Sequence, residues 1–225
     1  MSILVFWVDV DNTLIDNDKA KEDFDQHLQA ELGPELTERF WDIYEAVRKE
    51  TSVVDIPLSL RRLREAIPLD EMGNLTYEHV VSIFDNYPYW KVLYPYALET
   101  LQHLCTLGVP VIVSDGDQYF QAEKIFNSNL AEAVDGRVQL FVHKQQHLDE
   151  LKKAFPGDHY VCIDDKPDIL VDIKKLMHDQ VTTIFVRQGK YAQAKPPEHF
   201  APDITVDHIG DLRNFTAGQF ELKKS

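Results

Sequence analysis

Five short apolar runs, spread across the chain, set the tightest limit on what this sequence can fold into. They cover residues 3–8, 109–113, 138–142, 160–163 and 182–186. Each is continuously apolar, or nearly so. Alternation would mark a strand with one wet face; a continuous run marks a strand covered on both faces, as in a parallel sheet. Helical patterns fill the gaps between the later runs. Ala97, Leu98, Leu101, Leu104 and Cys105 share one helical face, and Gly108 follows as a stop. Residues 118–126, 145–155 and 168–178 read as further helices. The fold class expected is α/β: an open parallel sheet of Rossmann-like type with helices on both faces. Residues 203–206 read as one more edge strand.

The stretch from residue 16 to residue 94 breaks the alternation. It contains no strand pattern and reads as amphipathic helices over 18–32, 35–49, 56–66 and 76–86. Gly33-Pro34 separates the first two, and Pro68 ends the third. The expected organisation is therefore a core of residues 1–15 and 95–225, with an all-helical insert at 16–94.

The formal net charge is −15, from 38 acidic and 23 basic residues. A field of that sign repels nucleic acid and anionic membrane surfaces, so neither is an expected partner. It also repels phosphate esters, so an anionic substrate requires a metal or locally placed cations. No apolar stretch reaches the about 20 residues of a membrane span. No secretory pattern opens the sequence, and a reducing cytoplasm is the expected compartment. Cys105 and Cys162 sit in apolar runs and read as small buried hydrophobes rather than a disulfide or zinc pair.

The chemistry gathers where the apolar runs end. The first ends in Asp9-Val10-Asp11-Asn12-Thr13, the second in Ser114-Asp115-Gly116-Asp117, the third in His143-Lys144 and the fourth in Asp164-Asp165, with Asp168 nearby. Ligands of parallel open sheets bind beyond the carboxyl ends of the strands, so these clusters are expected along one edge. Asp9 and Asp11, two apart, point to the same side if the backbone is extended. Several carboxylates cannot stay ionised together without protonation, a lysine or a hard cation. An all-oxygen set that keeps some waters suits Mg²⁺. Ser114 and the backbone after it offer an anion cradle. A nucleophile, an acid/base, a metal and an oxyanion holder together serve phosphoryl transfer.

In this order and spacing, Asp9-Val10-Asp11-Asn12-Thr13, Ser114, Lys144 and Asp164-Asp165 resemble the four motifs of the haloacid dehalogenase-like hydrolases. The resemblance covers residues 3–186, and the helical insert resembles that superfamily's C1-type cap. It implies an aspartyl-phosphate formed on Asp9. It makes Asp11 the acid and then the base, with its backbone carbonyl on Mg²⁺. Thr13 would position the first loop. Ser114, with the N–H groups of Asp115 and Gly116, would hold the phosphoryl group, and Lys144 would screen the nucleophile. Asp165 would bind Mg²⁺ directly, with Asp164 or Asp168 acting through water; Asp168 reads equally well as a helix cap. The implied function is a Mg²⁺-dependent phosphatase for a small phosphorylated metabolite, as a monomer or homodimer. A phosphomutase using the same residues stays open, as does a non-catalytic phosphate-binding scaffold. A 2-haloacid dehalogenase is disfavoured, because a halide leaving group needs neither Asp11 nor Mg²⁺.

Other features carry bland readings. Asp16, Asn17 and Asp18 read as helix caps. The insert's Arg48, Lys49, Arg61, Arg62 and Arg64, interleaved with Trp41 and Tyr44, read as a solvated face. His143 reads as incidental, and residues 187–190 as a loop.

Overall fold

The computed structural model describes residues 2–68, 72–193 and 200–221. Residues 1, 69–71, 194–199 and 222–225, which fall within the expected core and insert, lie outside the described residues. The apolar runs form β1 (Leu4–Val8), β2 (Val109–Asp115), β3 (Val138–Phe141), β4 (His159–Asp164) and β5 (Val181–Val186), and the expected edge strand is β6 (Ile204–Val206). All pairings are parallel, in the order β3-β2-β1-β4-β5-β6. Successive residues of the inner strands feed two separate cores. Phe6, Val8, Ile112, Val161 and Ile163 join one apolar cluster, while Val5, Trp7, Val111, Val113 and Cys162 join the other. That two-sided burial is the physical reason the runs do not alternate.

Among the described residues, three α-helices and a 3₁₀ turn (Tyr89–Val92) intervene between β1 and the core helix preceding β2: the α-helices are α1 (Asn17–Thr51), α2 (Ile56–Ala66) and α3 (Asn74–Asp85). The first contains both helices expected from sequence. They meet at a kink where Gly33 takes φ 75° and ψ 170°, a backbone position that favours glycine. Asp16 caps α1 by accepting from the Lys19 N–H, and Asp55 caps α2 by accepting from Leu58. The inward side chains of α1–α3, among them Phe24, Phe40, Tyr44, Leu60 and Phe84, belong to the same buried cluster as one face of the sheet.

The remaining helices are α4 (Ala97–Leu107), α5 (Gln118–Asn127), α6 (Leu130–Ala133), α7 (Leu148–Ala154), α8 (Pro167–Met177) and α9 (Ala217–Phe220). Side chains of α4, α5, α6 and α9 enter the first cluster, and those of α7 and α8 the second. The helix expected at 145–155 is a 3₁₀ turn (Lys144–Gln146) followed by α7. Cys162 is buried as expected; Cys105 is exposed. The buried stripe of α4 runs through Ala97, Thr100, Leu101 and Leu104, leaving Cys105 one position off it, near Arg137 and Ala133. No helix among the described residues is long and apolar enough to cross a membrane.

Candidate active site

β1 lies between β2 and β4, so the ends of these three strands are neighbours. Just beyond β1, the Asp9 N–H donates to the Ile163 carbonyl at 3.0 Å, which pins the first loop to β4. Asp9, Asp164 and Asp165 each turn an oxygen into one spot, all within 4.8 Å of one another and all buried. Lys144 arrives from the 3₁₀ turn after β3. Its Nζ lies 2.5 Å from Asp9 Oδ1 and 2.6 Å from Asp164 Oδ2, and it donates to the Val113 carbonyl at 3.3 Å. Asp115 fixes the base of that turn by accepting from the Lys144 backbone N–H at 2.8 Å.

Two of the three buried carboxylates, Asp9 and Asp164, share one buried ammonium, and the electrostatics follow. Burial pushes the Asp9 carboxyl up to about 6, with Lys144 opposing and Asp164 reinforcing. Burial, then Asp164 and Asp9, push Asp165 up to about 9. Burial alone would lower the Lys144 ammonium, but Asp164 and Asp9 outweigh it and hold it charged. Lys166, just past the doublet, is held up in the same way, against burial, by Asp9, Asp164 and Asp165. Asp9 Oδ2 and both Asp165 oxygens are buried without a hydrogen-bond partner among the described residues. Buried carboxylate oxygens without donors are costly, and a hard divalent cation satisfies such a set. The donor set therefore fits Mg²⁺.

Asp11 does not join that cluster. The chain bends after Asp9: the Val10 carbonyl accepts from Thr13, Leu14 and Ile15, and Asn12 takes φ 61°. Extended backbone, the premise for pointing Asp9 and Asp11 together, ends with β1. Asp11 instead meets α5, where Lys124 Nζ donates to Oδ1 at 2.6 Å and Gln121 Nε2 donates to Oδ2 at 3.1 Å. Burial raises the Asp11 carboxyl, but the Lys124 charge and hydrogen bond outweigh it and bring it below the ordinary value. Lys124 also donates to Asn17 Oδ1 at 3.2 Å. Lys124 and Gln121 are functional candidates that the sequence reading missed. Their signal was a lysine and a glutamine on the buried stripe of a helix that opens just after the second motif.

Ser114 and Thr13 are buried, and the Thr13 hydroxyl has no hydrogen-bond partner. The Gly116 N–H, expected in the anion cradle, donates instead to the Phe141 carbonyl at 3.0 Å because β2–β3 pairing extends past Asp115. What Gly116 supplies is space: at φ 150° it lies against Gln121, and an added Cβ would strike that side chain at 2.8 Å. Asp168 is exposed in the first turn of α8, away from the carboxylate cluster, and the capping position belongs to Lys166.

A cavity of about 200 Å³ opens beside Asp11, lined by α1, the segment after it, the β2 and β3 ends and the loop after β5. Of the five basic residues singled out in the insert, only Arg48 lines it; Lys21, Lys166, Lys190 and His143 also do. A larger groove of about 630 Å³ between α7 and α8 touches none of the strand-end acids. The loop after β5 is tied to the first motif. Gln188 Nε2 donates to the Thr13 carbonyl at 3.1 Å while its Oε1 accepts from the Ile209 N–H at 2.6 Å. Gly189, at φ 58°, packs so closely on Asn12 that a side chain would not fit.

A parallel sheet covered on both faces, with a buried cluster of acids at its strand ends, is a Rossmann-like α/β fold carrying a candidate active site. A haloacid dehalogenase-like hydrolase from Burkholderia xenovorans LB400 is 39% identical, with a TM-score of 0.85 over 95% of this chain and 99% of that one. On that likeness the chain belongs to the haloacid dehalogenase-like hydrolases. The L-2-haloacid dehalogenase of Xanthobacter autotrophicus shares the fold at 15% identity and a TM-score of 0.59, over 95% of this chain and 97% of that one. A magnesium-bound HAD hydrolase of Bacillus subtilis does so at 14% identity and a TM-score of 0.59, over 93% and 96%. No family model and no curated protein matches the sequence.

Proposed function

We propose that this hydrolase is a Mg²⁺-dependent phosphatase for a small phosphorylated metabolite, with Asp9 as nucleophile. The observation that carries the reading is the division of the acids. Asp9, Asp164 and Asp165 form a partner-poor cluster suited to a hard cation, while Asp11 is held apart on Lys124. A halide-releasing enzyme needs neither arrangement. Asp9 would attack phosphorus in line as the ester P–O bond breaks, and Asp11 would deliver the proton to the leaving oxygen. Asp11, left after that transfer as the carboxylate that Lys124 stabilises, would then take a proton from the water that cleaves the acyl phosphate, which frees the Asp9 carboxylate and restores the acid form of Asp11 for the next turnover. Ser114 and the Asp115 N–H would hold the phosphoryl oxygens, and Lys144 would keep Asp9 ionised and oriented. Asp9, Asp165, the Asp11 carbonyl and Asp164 would hold Mg²⁺, whose charge offsets that of the transferring oxygens. The α1–α3 insert, residues 16–94, would act as the cap that closes over the substrate.

Phosphate release from a generic aryl phosphate is expected to require Mg²⁺. At a magnesium concentration near a hundred times its Kd, binding stabilises by about 2.7 kcal/mol. That should raise the Tm of a chain this size by roughly 5–10 °C, and Asp165→Asn should abolish most of the rise. Metal-independent turnover, or no thermal shift, would overturn the reading. Because neighbouring structures include haloacid dehalogenases, chloride release from 2-chloropropionate is the companion assay; the expected result is none.

Lys124→Met is expected to lower kcat by about 10²-fold, the low end of acid–base contributions, with KM little changed. Lys124→Arg should restore part of the rate. A residue needed only for packing would not be rescued by keeping the charge.

A further inference from the structure

We propose that the cavity beside Asp11 contains a second anion subsite, built from Lys21, Arg48, Lys190 and the Tyr44 hydroxyl. The substrate is then a compact phosphate ester carrying a further carboxylate or phosphate. This inference rests on the phosphatase reading for the first phosphate.

The charge balance points this way. Acidic residues outnumber basic ones 38 to 23 in the chain, yet among the described residues Lys21, Arg48, Lys166 and Lys190 line the cavity against only Asp11 and Asp115. Those two acids are already engaged, Asp11 by Lys124 and Asp115 by the Lys144 N–H. Lys166 answers the carboxylate cluster. Three cations remain. Arg48 reaches the exposed Glu45 at 3.4 Å, a weak surface contact. Lys21 and Lys190 pair with no acid among the described residues; they sit over the rings of Tyr44 and Tyr191, at 4.5 and 4.9 Å.

The insert and the core both contribute. Lys21, Tyr44 and Arg48 come from α1, and Lys190 from the turn that Gly189 presses against Asn12. Lys21 is half-buried, and its ammonium is lowered by burial and then by Lys190 and Arg48, so these like charges are close enough to oppose one another. Such crowding is unfavourable unless an anion occupies the space between. Tyr44 supplies an independent sign. It is only 2% exposed, lines the cavity, and its hydroxyl is buried without a hydrogen-bond partner among the described residues. Burial pushes its phenol above the ordinary range, so it stays a neutral donor. An orphaned buried donor among unmatched cations is complementary to an anionic oxygen. The cavity's about 200 Å³ falls below the size of a site for drug-sized ligands, so the second charge must lie only a few bonds from the phosphate.

The test uses matched three-carbon ligands: glycerol phosphate, phosphoglycerate and propanediol bisphosphate. Each is titrated calorimetrically with Mg²⁺ into Asp9→Asn protein, which binds without turnover. The two ligands with a second anionic group are expected to bind at least about tenfold tighter than glycerol phosphate, as one charge-assisted hydrogen bond would give. Comparing the two shows whether carboxylate or phosphate is preferred. Adding Lys21→Met, or the exposed-site changes Lys190→Gln and Arg48→Gln, should collapse that preference toward one. Equal binding of all three ligands, no binding of any, or a preference that survives the substitutions would overturn the subsite. Selective binding without phosphate release by the wild-type protein would keep the subsite and sink the phosphatase reading; release without selectivity would do the reverse.

Discussion

Asp9→Asn is expected to reduce phosphate release by more than about 10⁴-fold, on the scale seen when a covalent nucleophile is removed. The amide keeps the shape of the side chain but cannot form the acyl phosphate. Two of the three neighbouring acids are engaged elsewhere, and the third, Asp165, would be held on Mg²⁺ in the proposed reading. Asp164 is tied to Lys144 and to the Lys166 N–H, and Asp11 lies on α5's lysine. The fold should survive, because the Asp9 backbone bond to Ile163 is untouched and Lys144 keeps Asp164. Circular dichroism and a thermal melt would confirm that the protein is intact. A well-folded variant with appreciable turnover would show that another group attacks.

Lys144→Met should have the largest effect on stability. Removing one partner of a buried ion pair costs about 3–5 kcal/mol, because the remaining charge stays buried and uncompensated. Here the loss falls on two carboxylates at once, Asp9 and Asp164, with Asp165 already lacking a partner. Urea unfolding of the metal-free variant should show that loss. Saturating Mg²⁺ should recover part of it, since the cation also compensates the cluster. A variant as stable as wild type without metal would mean that the carboxylates are not ionised around Lys144.

The sheet was legible because doubly buried strands leave continuous apolar runs, and the strand-end acids were legible because parallel strands deliver their carboxyl ends to one edge. Gly33-Pro34 announced the kink in α1. What the sequence concealed depended on which way a side chain turns. Asp11 leaves the direction of Asp9 because the loop bends at Val10, which a two-residue spacing does not reveal. Lys124 and Gln121 looked like parts of an ordinary amphipathic helix. Cys105 lies a single helical position outside the buried stripe. Lys21 and Lys190 are 169 residues apart and come together only in three dimensions, whereas four of the five insert cations singled out from sequence do not line the cavity. Arg62, for example, pairs with Glu50 at 2.8 Å, and Arg64 packs over Tyr77.

The Gln188 side chain joins the start of the polypeptide to its far end. One face of the amide holds the Thr13 carbonyl and the other the Ile209 N–H. The turn beside Asp9 therefore gains its clamp only when segments some two hundred residues downstream have docked. The geometry of the candidate site is thereby coupled to docking of the later segments: a chain halted before β6 would contain every strand-end acid yet lack the Ile209 contact that locks the clamp.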